Sequence, residues 1–233
     1  MILVAQSDFK MIFRDASLRL FLVVPFLSIA MVCLLLPYLV NEYPAVLEYV
    51  PYVFMASLLQ ASTMFGFIYS FVLIDEKDTE VNKIYGVLPI SKTGLISYRM
   101  IFPFLYSIIF VLILLTLQPF YNFPIAYQIT LACLVSLLGP IFALLVSNYS
   151  KNKMQGLTIY KAINGIINLP LLAFFIPEMY GFIFGFIPSH WIFQEIFNYV
   201  NDGLLLMNML IGFLLSIVIL IVLEIQFSKK HFR

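Results

Sequence analysis

The chain has 233 residues, of which 63% are hydrophobic and 11% charged, with a net charge of +1. Its mean hydropathy is +1.02, where a soluble domain would be about 45–50% apolar and about 25% charged. That excess cannot be hidden in one soluble core, so a water-soluble enzyme or a nucleic-acid binder is excluded, and lipid must be the main solvent.

A spanning helix takes about 20 apolar residues. Six such helices with short connections use up the chain and leave no room for a large soluble domain. Residues 1–19 come first. Phe9, Ile12, Phe13, Ala16 and Leu20 recur at spacings of three and four, with Asp8, Lys10, Arg14, Asp15 and Arg19 between them. This pattern predicts an amphipathic helix lying in the membrane interface. A plain cytoplasmic extension of the first span is the simpler alternative. The following apolar run is too long for a cleavable signal, and no small-residue cleavage site follows it.

The first span is expected at 20–40, kinked by Pro25 and Pro37. A short acidic loop leads to the second span at 51–74. There Ser62, Gly66 and Ser70 form a small-residue ridge that permits close helix contact. Residues 75–99 form the longest charged segment, and their local signals suggest a short helix ending near Gly86 before Pro89. The third span is expected at 100–118 and the fourth at 125–147, each interrupted by a proline (Pro103 and Pro140). Residues 148–161 make a second polar, basic loop. The fifth span is expected at about 160–177. Residues 178–203 are aromatic and glycine-rich but too short to cross, so a re-entrant outer segment is expected. Such backbone survives at membrane depth only when packed in protein or facing water. The sixth span is 204–227, and a basic tail follows.

The charges sort by side. Lys10, Arg14 and Arg19, then Lys77, Lys83, Lys92 and Arg99, then Lys151, Lys153 and Lys161, then Lys229, Lys230 and Arg233 are all 13 basic residues. The alternate connections carry acids only: Glu42, Glu48, Glu178, Glu195 and Asp202. The positive-inside rule puts both termini in the cytoplasm. A prokaryotic cytoplasmic (inner) membrane suits this pattern.

Little catalytic chemistry is visible. Cys33 and Cys133 lie in apolar runs and read as small core residues. Glu224 is the one carboxylate inside an expected span, near its cytoplasmic end, and is expected to snorkel or pair with Lys229 and Lys230. His190 and Glu195 lack further ligands for a metal site, and Trp191 beside them suits an interfacial aromatic belt. Neither a nucleophile elbow nor a phosphate-binding loop is present. No catalytic, cofactor or metal residue is expected. The polar residues inside spans are Ser57, Gln60 and Thr63 on one face of the second helix, and Asn164 and Asn168 on one face of the fifth. They could line a translocation path or hydrogen-bond between helices.

Three stretches together resemble the permease subunits of type-2 ABC exporters: DFKMIFRDASLRLFLVVPFL at the start, DEKDTEVNKIYGVLPISKTGLISYR after the second span, and GFIFGFIPSHWIFQEIF before the last. The resemblance covers essentially the whole chain. KNKMQGLTIYKAINGIINLPLLAFFIP through IPSHW is similar to the subgroup labelled fluoroquinolone export permeases. It implies an all-α single transmembrane domain that pairs with a second permease, a copy or a paralogue, around a central path. Two copies of a separate ATPase would carry ATP and magnesium. Lipid, drug, peptide and polysaccharide exporters share this architecture, so the resemblance leaves the cargo open, with multidrug or lipid efflux the first expectation. A coupling helix would seat Glu76, Lys77, Asp78, Glu80, Val81, Lys83 and Ile84 in that ATPase, and their mixed charge suits a polar docking surface. Asp78-Thr79 stands where the family often has a glycine. The alternatives are a secondary transporter, which wants internal repeats and a midplane acid, and a non-catalytic membrane scaffold.

Overall fold

The computed structural model describes residue 8 and residues 11–79, 91–201 and 206–231. These are helices and short turns, with no strand among them. Among the described residues six helices are long and apolar enough to cross a membrane, and the chain is an all-α integral membrane protein.

α1 is Leu18–Glu42. Its middle turn, Met31–Leu35, widens into a π-helix. Pro37 explains this: it has no N–H for the carbonyl four residues back, and its ring crowds that carbonyl. A 3-10 stretch, Pro44–Tyr49, leads into α2, Val50–Asp78. α3 is Lys92–Leu117, opened by Ser91, whose hydroxyl accepts from the Gly94 N–H at 3.3 Å. α4, Ile125–Tyr149, breaks at Leu137. The break falls three residues before Pro140, which leaves the Ser136 carbonyl without its helical partner. α5 is Lys153–Asn168, capped by Asn152, whose side chain accepts from the Gln155 N–H at 2.9 Å. It continues as a 3-10 turn, Leu169–Phe175. The outer hairpin follows, with a one-turn helix Glu178–Gly181 and then α6, Pro188–Asn201. α7 is Leu206–His231.

The helices run beyond the apolar runs that announce them. α2 carries on through Asp75, Glu76 and Lys77 to Asp78, and α3 starts at Lys92, seven residues before Arg99. Charge does not end a helix by itself. Residues 75–78 hold no proline or glycine, and Gly94 sits in the first turn of α3, where it does not stop the helix.

α2 is the axis of the fold. In its most apolar stretch 94% of residues are buried, against 22% in α1 and α7. The Ser62–Gly66–Ser70 ridge explains how α2 gets so close to its neighbours. The Ser62 hydroxyl donates to the Val135 carbonyl of α4 at 2.9 Å, and the Ser107 hydroxyl of α3 donates to the Ser62 carbonyl at 3.0 Å. A Cβ on Gly66 would stand 2.1 Å from the Gly139 carbonyl oxygen, so only glycine fits there. The outer helices show the opposite pattern. On α3, Ile101, Leu105 and Ile109 form an exposed apolar row, while Pro103, Ser107 and Val111 on the other face are buried. That row has the character of a surface solvated by acyl chains.

The hairpin is pinned by side chains. The Trp191 indole donates to the Gly185 carbonyl at 2.7 Å. The loop 118–124 is tight because the Gln118 side-chain oxygen accepts from the N–H groups of Phe120 (2.9 Å) and Tyr121 (2.8 Å).

Candidate functional site

At the Asp78 end of α2 the structure builds a buried ionic cluster. Arg99 on α3 is 2% exposed, Glu76 on α2 is 3% exposed and Asp8 is 3% exposed. The Arg99 guanidinium grips Asp8 through Nε (3.0 Å) and Nη2 (3.1 Å), and it donates through Nη1 to Glu76 at 2.7 Å. The Tyr69 hydroxyl, about two turns below Glu76 on α2, donates to Asp8 at 2.6 Å. The planar fork of arginine suits this shared grip; lysine would present one point charge. Burial pushes the Asp8 carboxyl up, and Glu76 nearby adds to this; the Arg99 charge and the Tyr69 O–H pull it back.

A second, half-exposed bridge lies beside it. Lys153, at the start of α5, reaches Asp15 at 3.0 Å and Asp75 of α2 at 2.8 Å. The two sites together tie the N-terminal segment, α2, α3 and α5 into one charged knot. Both flank the charged segment between α2 and α3.

The residues singled out from the sequence fall as follows. Glu76 is inside the knot and not on an outer surface. The Lys77 ammonium donates to the Ser147 carbonyl of α4 and lies 5.4 Å from the Phe227 ring centre. Asp78 is exposed at the helix end. Glu80, Val81, Lys83 and Ile84, and with them most of the expected coupling helix, lie outside the described residues. Gln60 donates to the Tyr160 hydroxyl of α5 at 3.2 Å, with Thr63 beside that hydroxyl. Ser57 is buried in α2. The Asn168 side chain donates to the Asn164 carbonyl at 2.7 Å on the same helix. Glu224 is not paired with Lys229 or Lys230 as expected. It accepts from the Ser97 hydroxyl of α3 at 2.8 Å, because α3 begins early enough to bring Ser97 alongside.

Two cavities accompany these sites. An apolar cleft of about 320 Å³ between α1, α2 and α3 is lined by Phe13, Phe26, Phe65, Tyr106 and Phe110, and Asp8 closes one end. A second, of about 480 Å³, lies by the outer hairpin between Phe174, Phe182, Trp191, Gln194, Asn198 and Asn208. None of Ser57, Gln60, Thr63, Asn164 or Asn168 lines either of these two.

Sequence reasoning missed Arg99, Asp8 and Tyr69 as one unit. The available signal was Arg99 immediately before an apolar run, where a helix could already have begun. Asp8 and Arg99 are 91 residues apart, and no local pattern links them.

A family model described as the Fluoroquinolones export permease protein Rv2686c-like family matches residues 8–224. Two curated relatives from Mycobacterium tuberculosis are each 24% identical over 97% of this chain and 93% of their own length. They are named Fluoroquinolones export permease protein Rv2686c, in strain ATCC 25618 / H37Rv, and MT2760, in strain CDC 1551 / Oshkosh. No solved structure matches the chain.

Proposed function

The chain belongs to this Rv2686c-like export permease family, and from that premise we propose that it is the membrane-spanning subunit of an ATP-driven ABC exporter. It works as a pair of permeases, a second copy or a paralogue, with two copies of a separate ATPase on the cytoplasmic side. ATP and magnesium belong to that partner. Both termini face the cytoplasm of a prokaryotic inner membrane, as the one-sided distribution of the 13 basic residues supports.

One observation carries the mechanism: Arg99 bonds both Asp8 and Glu76 inside the protein. Glu76 and Arg99 stand at the two ends of the segment that would contact the ATPase. A displacement of that segment therefore loads α2 and α3 together, and Asp8 carries it into the N-terminal segment. Asp78, Glu80, Val81, Lys83 and Ile84 supply the contact itself, with Glu76 and Lys77 holding its root to Arg99 and to α4. Ser57, Gln60, Thr63, Asn164 and Asn168 act in helix packing, with Gln60 the tie between α2 and α5. The apolar, aromatic cleft beside Asp8 suits a flat amphipathic cargo, and fluoroquinolones, printed in the relatives' names, are the first compounds to try.

The test uses the permease with its ATPase in proteoliposomes. The double charge reversal Glu80→Lys with Lys83→Glu should reduce permease-stimulated ATP hydrolysis to the level of the ATPase alone, with insertion unchanged. Stimulation equal to that of the parent chain removes these residues from the coupling role. Reporter fusions at Glu48 and Asp202 should read outside, and a cytoplasmic signal from either would overturn the topology.

A further inference from the structure

α6 carries a carboxylate with unusual surroundings. Glu195 is 0% exposed, and among the described residues neither of its oxygens accepts a hydrogen bond of normal geometry. The Tyr127 hydroxyl of α4 is likewise buried and without a hydrogen bond among the described residues. Tyr127 is electrostatically coupled to Glu195 and stacks at 4.0 Å on Tyr199, one turn along α6 from Glu195. Phe123 closes the group, 5.2 Å from Tyr127 and 5.1 Å from Tyr199. α6 packs on α7 and on α4. α7 offers Glu195 the Met209 backbone N–H, which relieves the carboxylate only in part. No lysine or arginine exists between α5 and α7 to neutralise it.

An ionised carboxylate in such a place costs several kcal/mol, and the group avoids the cost by taking a proton. We propose that Glu195, with Tyr127 beside it, is a proton-binding site that locks the outer hairpin: the carboxyl is neutral while α6 is docked on α4 and α7, and it ionises when α6 moves off them. Proton release on the outer side and undocking of the hairpin are then one equilibrium. The proposal concerns a ligand, the proton, and a place, the outer hairpin, that the exporter reading does not involve.

Burial pushes the Glu195 carboxyl up to about 7. The sign follows. A carboxyl raised in the folded state lends stability at low pH, and that stability is lost as pH rises from the ordinary carboxylate range through about 7. His190 lies on the same helix, and burial lowers its imidazole, so its titration moves down from its ordinary value and away from that of Glu195.

Trp191 is the single tryptophan of the chain and sits one turn before Glu195. Its fluorescence reports α6 alone. The experiment is a pH titration of the full chain in lipid nanodiscs, read by Trp191 emission and by the infrared band of a protonated carboxyl. The expected result is one step near pH 7 in both signals. Glu195→Gln should abolish it, and Tyr127→Phe should move it to higher pH by removing a neutral hydroxyl from the surroundings of the carboxylate. His190→Gln should leave it in place. The melting temperature of the Gln variant should match the parent at low pH and exceed it above the step. A step that survives Glu195→Gln, or disappears in His190→Gln, overturns the proposal. If the Gln variant does not insert, the infrared titration of the parent decides alone: no protonated-carboxyl band lost near pH 7 also overturns it. None of these readouts uses the ATPase, so they stand apart from the coupling test.

Discussion

Glu76 and Glu195 are the same residue type, and both are buried on membrane-protein helices, yet their surroundings differ completely. Glu76 faces Arg99 at 2.7 Å, and the cluster around it satisfies each charge with a counter-charge or a hydroxyl. Glu195 has tyrosine rings, helix backbone and no cation. A buried carboxylate thus has two stable solutions. It can stay ionised and become a structural tie, or stay neutral and become a titratable one. The first solution holds helices together through a counter-charge, Arg99 here. The second holds them only while the proton stays.

Substitutions can break this contrast, starting with the largest effect. Arg99→Met turns the first kind of site into an extreme form of the second, with two carboxylates and no cation. Breaking a buried pair in this way should cost about 3–5 kcal/mol. It should show as a sharp fall in melting temperature near neutral pH with partial recovery on acidification, as Asp8 and Glu76 take protons. Adding Asp8→Asn and Glu76→Met to that variant should recover most of the loss, and a triple variant no better than the single would contradict the pairing account. Lys153→Met tests an intermediate case, because its partners Asp15 and Asp75 are half-exposed. Solvent screening should hold its cost to about 1 kcal/mol or less. Glu195→Met sharpens the contrast by its sign. At neutral pH it removes a strained group and fills the space with apolar atoms, so stability should be unchanged or slightly raised. A loss as large as that of Arg99→Met would mean that Glu195 is held by an ionic partner after all.

The six spans were legible because apolar runs of this length have few other uses. The small-residue ridge at Ser62, Gly66 and Ser70 was legible too, since spacing of four places these residues on one helical face, and two of the three make the interhelical contacts expected of them. The ionic cluster was not. Hydropathy falls at Ile74 and rises at Met100, which suggests a separate short helix between two spans, whereas α2 continues unbroken to Asp78 and α3 already starts at Lys92. The partners of Arg99 lie 23 and 91 residues away from it in sequence. Glu195 was hidden for a different reason. Flanking aromatics at an outer interface look alike whether the carboxylate faces water or protein, and only the packing of α6 on α4 and α7 decides. The Leu137 break was announced by Pro140, but its place depended on the carbonyl that the proline strands, one turn earlier.

The contact between Gly66 and Gly139 has a mechanical side. Backbone meets backbone there, with the Phe142 and Ser107 side chains packed beside it, so the contact resists any closer approach. It acts as a fulcrum on α2. From Gly66 the helix reaches about 18 Å to Asp78 and about 24 Å to Val50, at 1.5 Å per residue. The arm toward the outer hairpin is therefore the longer one. A tilt imposed at the charged knot arrives at the far end of the same helix enlarged by about a third.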